Sequence, residues 1–60
     1  MTGIRVALVD DQQMFRRGVS MIVRSQPDLT VVGEAGNGEE AIALVERERP
    51  DVVLMDVRMP

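Results

Sequence analysis

Apolar and polar positions in this chain fall into short blocks whose period changes from one block to the next. Residues 4–9 (Ile-Arg-Val-Ala-Leu-Val) are a nearly continuous apolar run bounded by charge, as expected of a strand buried on both faces of a parallel sheet. Beyond Asp10-Asp11, the residues Phe15, Val19, Ile22 and Val23 recur at helical spacing and predict an amphipathic helix. Its polar face carries Gln12, Gln13, Arg16, Arg17, Ser20 and Arg24. Pro27-Asp28 closes this helix, because proline cannot continue it and restricts the residue before it. Leu29–Val32 is a short, β-branched second strand, and Gly33 to Gly38 is a loop whose glycines permit positive φ. Asn37 followed by Glu40 has the spacing of a helix N-cap and its reciprocal partner. The helix it opens buries Ala41, Leu44 and Val45, exposes Glu39, Glu40, Glu46, Arg47, Glu48 and Arg49, and ends at Pro50. Val52–Met55 is a third, wholly apolar strand.

The order β-α-β-α-β predicts a doubly wound α/β fold with a parallel sheet and right-handed crossovers. The first and third strands are the most thoroughly apolar, so they lie side by side with the second at an edge, giving the order 2-1-3. The crossover direction reverses after the second strand, which places the helices on opposite faces. Open sheets of this kind bind ligands at the reversal point, beyond the carboxyl ends of the strands. The first strand ends there in Asp10-Asp11 and the third in Asp56.

Composition narrows the chemistry available at that point. Sixty residues make one small domain at most, and a chain of that size buries only about 60% of the surface it exposes when unfolded. Cysteine and histidine are absent, which removes thiolate sites, the commonest zinc ligand and the commonest general base. The formal charge is −3, with seven basic and ten acidic side chains, so the segment itself is not expected to grip nucleic acid. No apolar run approaches the roughly 20 residues of a membrane span, and the first fifteen residues do not read as a signal peptide. A cytoplasmic protein is expected, with an aliphatic, methionine-rich core, since Phe15 is the one aromatic residue.

Gathering carboxylates is expensive. Two of them about 4 Å apart repel by roughly 4 kcal/mol at an effective dielectric of 20. A cation offsets that cost, and without His or Cys it must be a hard, oxygen-ligated one. Mg²⁺ fits, because it takes a few carboxylates and waters and leaves room for a phosphate oxygen. A carboxylate at such a site can also attack phosphorus and form an acyl phosphate. Each aspartate alone has a plainer reading: Asp10-Asp11 as a cap near a helix N-terminus, Asp56 as a solvated strand end. Their coincidence at one reversal point favours the metal site. Glu34 reads as solvated loop, and Glu39-Glu40 as the first turn of a helix. Gly36-Asn37-Gly38 is explained by a turn and cap without a phosphate cradle. The stripe Met14, Phe15, Gly18, Val19, Met21 and Ile22 reads as core rather than as a binding face.

Taken together, Val6–Asp11, Val32-Gly33-Glu34-Ala35 with Asn37-Gly38, Pro50-Asp51 and Val53–Pro60 resemble the receiver domain of a bacterial two-component response regulator. The resemblance spans essentially the whole chain and implies a flavodoxin-like sheet. It further implies that Asp56 is the phosphoacceptor and that Asp11 and Asp56 ligate Mg²⁺ directly. Asp10 would act through water, and the backbone carbonyl of Arg58 would complete the protein's share. Such a module is phosphorylated by a sensor histidine kinase or a small phosphodonor and is not a conventional enzyme. The strand Val-Val-Gly-Glu-Ala and the ending Asp-Val-Arg-Met-Pro most resemble the NarL/FixJ subfamily, which implies a LuxR-type helix-turn-helix output domain and DNA contact only through it.

Against that family the 60 residues correspond to the N-terminal half of a receiver. The fourth and fifth strands, their hydroxyl residue and lysine, and a glycine expected soon after Pro60 lie beyond it. The third strand is then an edge with uncovered faces, which is expected to pair with the rest of a longer chain or with a second copy. Two other functions compete. A haloacid dehalogenase-type phosphatase also uses a strand-end aspartate with Mg²⁺, but carries Asp-x-Asp where residues 10–12 read Asp-Asp-Gln. A degenerate receiver used only for protein contact would not need all three aspartates.

Overall fold

The computed structural model describes residues 3–55 of the chain. Strand β1 (Ile4–Val9), helix α1 (Gln13–Arg24), strand β2 (Leu29–Ala35), helix α2 (Gly38–Glu48) and strand β3 (Val52–Met55) follow one another. The strands form one parallel sheet in the order β2-β1-β3, as the apolar patterning predicts. Among the described residues β1 is the central strand, and both β2 and β3 are edges.

Successive side chains of a strand point to opposite faces, and β1 spends both faces on core. Val6 and Leu8 pack with Val23 of α1, joined by the partly buried Val19, Leu29 and Val31. Ala7 and Val9 pack with Ala35 and with Ala41 and Leu44 of α2. The helices therefore cover opposite faces. Full burial of a leucine or valine contributes about 1.5–3 kcal/mol, so Leu8 and Leu44, each 2% exposed, are among the main contributors to holding the layers together.

The second strand is longer than its sequence suggests. Gly33, Glu34 and Ala35 continue β2 and pair with Ala7, Leu8 and Val9, with the register skipping Val32. Glycine here serves packing. A Cβ built on Gly33 would collide with Cδ1 of Leu44, so its absence lets α2 lie directly on the strand. The loop shrinks to Gly36 and Asn37. Asn37 caps α2 as expected, its Oδ1 accepting from the backbone N–H of Glu40 at 2.8 Å. The return bond reaches one residue further back than a simple capping box, with Gly36 N–H donating to Glu40 Oε1 at 2.8 Å. At the other end Arg49 takes a left-handed conformation, φ 46° and ψ 62°, just before Pro50.

Helix faces differ from expectation in particular places. Ser20 is buried, with its hydroxyl accepting from Arg24 Nε at 2.9 Å, and Arg16 is turned inward. Phe15, Ile22 and Val45 are exposed, as are Met14 and Met21. Val23, with the partly buried Val19, is what α1 contributes to the apolar core over β1 and β2, while Phe15 stays half exposed at a cavity it lines with Leu8 and Leu54. All of β3 is exposed, from 37% at Val53 to 56% at Met55. At the opposite end of the sheet, Arg5 and Asp51 tie β1 to the start of β3. Asp51 N–H donates to Arg5 O at 2.8 Å, and Asp51 Oδ2 accepts from Arg5 N–H at 2.9 Å. Among the described residues no helix is long and apolar enough to cross a membrane.

Two substitutions test this packing by urea unfolding of the intact protein. Gly33→Val is expected to destabilise it by about 1–3 kcal/mol, because the added methyls overpack against Leu44. Arg49→Gly is expected to stabilise it by up to about 1 kcal/mol, because glycine adopts the left-handed conformation without a Cβ clash.

Candidate functional site

Parallel pairing brings strand ends of the same sense to one edge. Val9, the last residue of β1, is the register partner of Ala35 in β2 and of Met55 in β3. The residues that follow β1 and β2 therefore emerge side by side, at the point where the sheet order reverses. A cleft of about 170 Å³ opens there, lined by Asp10, Asp11, Gly36, Asn37, Gly38 and Met55 among others. Asp56 and Arg58, predicted as acceptor and as a carbonyl ligand, lie outside the described residues. The structure thus brings Asp10 and Asp11 together at the cleft and describes β3 up to the residue before Asp56.

The two carboxylates differ in setting. Asp10 is 5% exposed, whereas Asp11 is exposed. Backbone bonds hold Asp10 from both sides: its N–H donates to Ala35 O at 3.1 Å, and its Oδ1 accepts from Gln12 N–H at 2.8 Å. The second bond is a local turn that satisfies an amide beside the start of α1. Gln12 is the N-cap and makes no side-chain cap of its own. The capping role read for the Asp pair therefore belongs to Asp10, at one remove. An ionised carboxylate has about four lone-pair sites, so one amide bond leaves Asp10 able to accept from water or a cation.

Among the described residues no group of three acidic, His or Cys side chains gathers to hold a metal. Asp10 and Asp11 are the carboxylates lining the cleft, and such oxygen donors suit a hard cation such as Mg²⁺. Glu39 and Glu40 are in the first turn of α2, as expected. Glu34 departs from expectation: it is in β2 and pairs with Arg16, Oε1 to Nε at 3.1 Å, and with Arg24 at 4.0 Å.

Arg16, like Ser20, departs from the polar face of α1 on which its spacing places it. Instead its side chain, 17% exposed, runs across the carboxyl ends of β1 and β2. Its Nη1 donates to Asp10 O at 2.6 Å and to Ala35 O at 3.3 Å. The signal available in the sequence was Arg16 and Glu34 at the reversal point, visible only once β2 is extended through Ala35.

This arrangement belongs to a known class. The family model of the response regulator receiver domain matches residues 6–60, and the chain belongs to that family. It is similar to the uncharacterized transcriptional regulatory protein YxjL of Bacillus subtilis (strain 168), 54% identical over 57 residues, which are 95% of this chain and 26% of that protein. Among solved structures it is similar to the signal receiver domain of the response regulator NarL from Mycobacterium tuberculosis. That likeness has a TM-score of 0.92 and 40% identity, covering 100% of this chain and 48% of the other. It is equally close in fold to a chain in the structure of the P1 domain of CheA3 in complex with CheY6 from R. sphaeroides, with a TM-score of 0.92, 33% identity, and coverage of 100% and 47%. The chain spans about a quarter of the curated relative's length and about half of each solved chain. The resemblance to receivers of the NarL/FixJ type and the flavodoxin-like order 2-1-3 both stand.

Burying a charge beside a like charge costs stability, and an amide keeps the acceptor that Gln12 N–H needs. In metal-free buffer Asp10→Asn is expected to stabilise the intact protein by about 1–2 kcal/mol in thermal or urea unfolding. Adding Mg²⁺ is expected to stabilise the parent and not this variant.

Proposed function

We propose that this chain is the N-terminal half, residues 1–60, of a phosphoacceptor receiver, and that Asp56 takes the phosphoryl group. The observation that carries the reading is the pairing of Val9 with Met55: Asp56 follows Met55 in the chain, and Asp10-Asp11 follows Val9. Mg²⁺ is the cofactor. Asp11 and Asp56 would hold it directly, Asp10 through water, and Arg58 through its backbone carbonyl. When bound, it offsets the charge of the incoming phosphoryl group. The protein's own part is to hold the Asp56 carboxylate ready to attack phosphorus, with Asp10 fixed by the amide of Gln12 and Asp11 open to the cleft.

The phosphodonor is a sensor histidine kinase or a small phosphodonor. A histidine-kinase partner is supported by the named complex of a CheA3 domain with CheY6. The product is a switched regulator rather than a released compound, so the module signals and does not turn over substrate as an enzyme. A transcriptional output domain, and contact with DNA through it, fit the description of YxjL as a transcriptional regulatory protein. A cytoplasmic location follows from that role. The exposed edge of β3 is continued by the remainder of a longer chain or by a second copy, because an unpaired edge with apolar faces recruits a further strand. The phosphatase reading fits less well, since Asp10-Asp11-Gln12 lacks the Asp-x-Asp spacing.

The test uses the intact protein with Mg²⁺ and a small acyl phosphate, read by mass spectrometry. One phosphoryl group is expected on the parent and none on Asp56→Asn. Beryllofluoride with Mg²⁺ is expected to shift the amide resonances of Asp10, Asp11 and Asp56. Equal labelling of Asp56→Asn would refute Asp56 as acceptor, and steady release of phosphate from phosphomonoesters would favour the phosphatase.

A further inference from the structure

We propose that Arg16 is a positioning residue for the acidic site, clamping the ends of β1 and β2 so that Asp10 and Asp11 face the cleft in a geometry that suits Mg²⁺. The inference rests on the reading of that cleft as a Mg²⁺ site. Four observations converge on this role. The guanidinium bridges two strands, with Nη1 donating to the carbonyls of Asp10 and Ala35. The same Ala35 carbonyl accepts the N–H of Asp10, so one small network fixes the peptide that carries the carboxylate. Glu34 holds the other side of the fork through Nε. Gly36 makes room for it: a Cβ there would sit 3.1 Å from Arg16 Nη1.

Electrostatics alone would give Arg16 the opposite effect. A guanidinium beside a cation site repels the cation, so simple removal of its charge should tighten Mg²⁺ binding. A purely structural role would lower thermal stability and leave affinity unchanged in the folded protein. A positioning role weakens binding, because partners that orient metal ligands typically affect affinity by 10–100-fold when lost. The planar fork reaches several acceptors at once, whereas a lysine ammonium is a point donor on a flexible stem. Lysine at this position should therefore rescue only in part.

The experiment is a Mg²⁺ titration of the intact protein, followed by amide resonances, at a temperature where every variant is folded. Arg16→Met keeps much of the aliphatic stem and is expected to weaken Mg²⁺ binding about tenfold, with Arg16→Lys in between. Arg17→Met, which removes the same charge from an exposed neighbour, is expected to bind like the parent. Without metal, amide exchange at Asp10 is expected to quicken in Arg16→Met and not in Arg17→Met. Unchanged or tighter Mg²⁺ binding by Arg16→Met would overturn the inference while leaving the cleft as a metal site. A folded parent that binds no Mg²⁺ would overturn the site reading and this inference with it.

Discussion

The parallel pairing of β1 with both of its neighbours is the constraint on which the rest of the structure depends. β1 contributes Val6 and Leu8 to one core and Ala7 and Val9 to the other, so from Val6 onward it has no face left for solvent. A slip of one residue would carry each of these side chains to the wrong layer. Because the strands run in the same sense, the register that satisfies the cores also sets the ends. Val9, Ala35 and Met55 stop level with one another. Asp10 and Asp11 lie beyond that line because burial fixed the line, with no separate device needed to bring them there.

Holding charge at such an edge requires local support, and backbone amides, carbonyls and an arginine supply it. Asp10 is buried and receives the Gln12 amide, while its own amide and carbonyl are taken up by Ala35 and Arg16. Arg16 is in turn balanced by Glu34. Asp11, one residue on, has no such burial and faces the cleft. One carboxylate is thus built into the scaffold and its neighbour is left available. That division leaves an open carboxylate beside a fixed one at the reversal point of the sheet.

Most of the element order was legible because it rests on local rules. The apolar runs at residues 4–9 and 52–55, the Asn37 cap and the stops near Pro27 and Pro50 all appear where the patterning put them. The misread positions share one cause. Gly33 looked like loop because glycine usually marks a turn, yet here it clears space for Leu44. Arg16 looked solvent-facing because it is charged, yet it finds backbone carbonyls at the strand ends. Ser20 is buried because Arg24 satisfies its hydroxyl. Phe15 and Ile22 read as core because they are apolar, yet both stay exposed, Phe15 at the rim of a cavity it lines with Leu8, Val19 and Leu54.

By itself the sequence determined the alternation of strands and helices, the family, and the absence of any His or Cys chemistry, since these follow from residue type and spacing along one chain. Only the tertiary structure decided that Gly33 belongs to a strand, that Asp10 is buried while Asp11 is open, and that Arg16 and Glu34 join the acidic edge. Those outcomes depend on contacts between different elements, such as Gly33 with Leu44 and Arg16 with Glu34 and Ala35, or on which neighbour occupies a given face. Pattern along a chain specifies what a residue can do, and packing selects which of those options is satisfied.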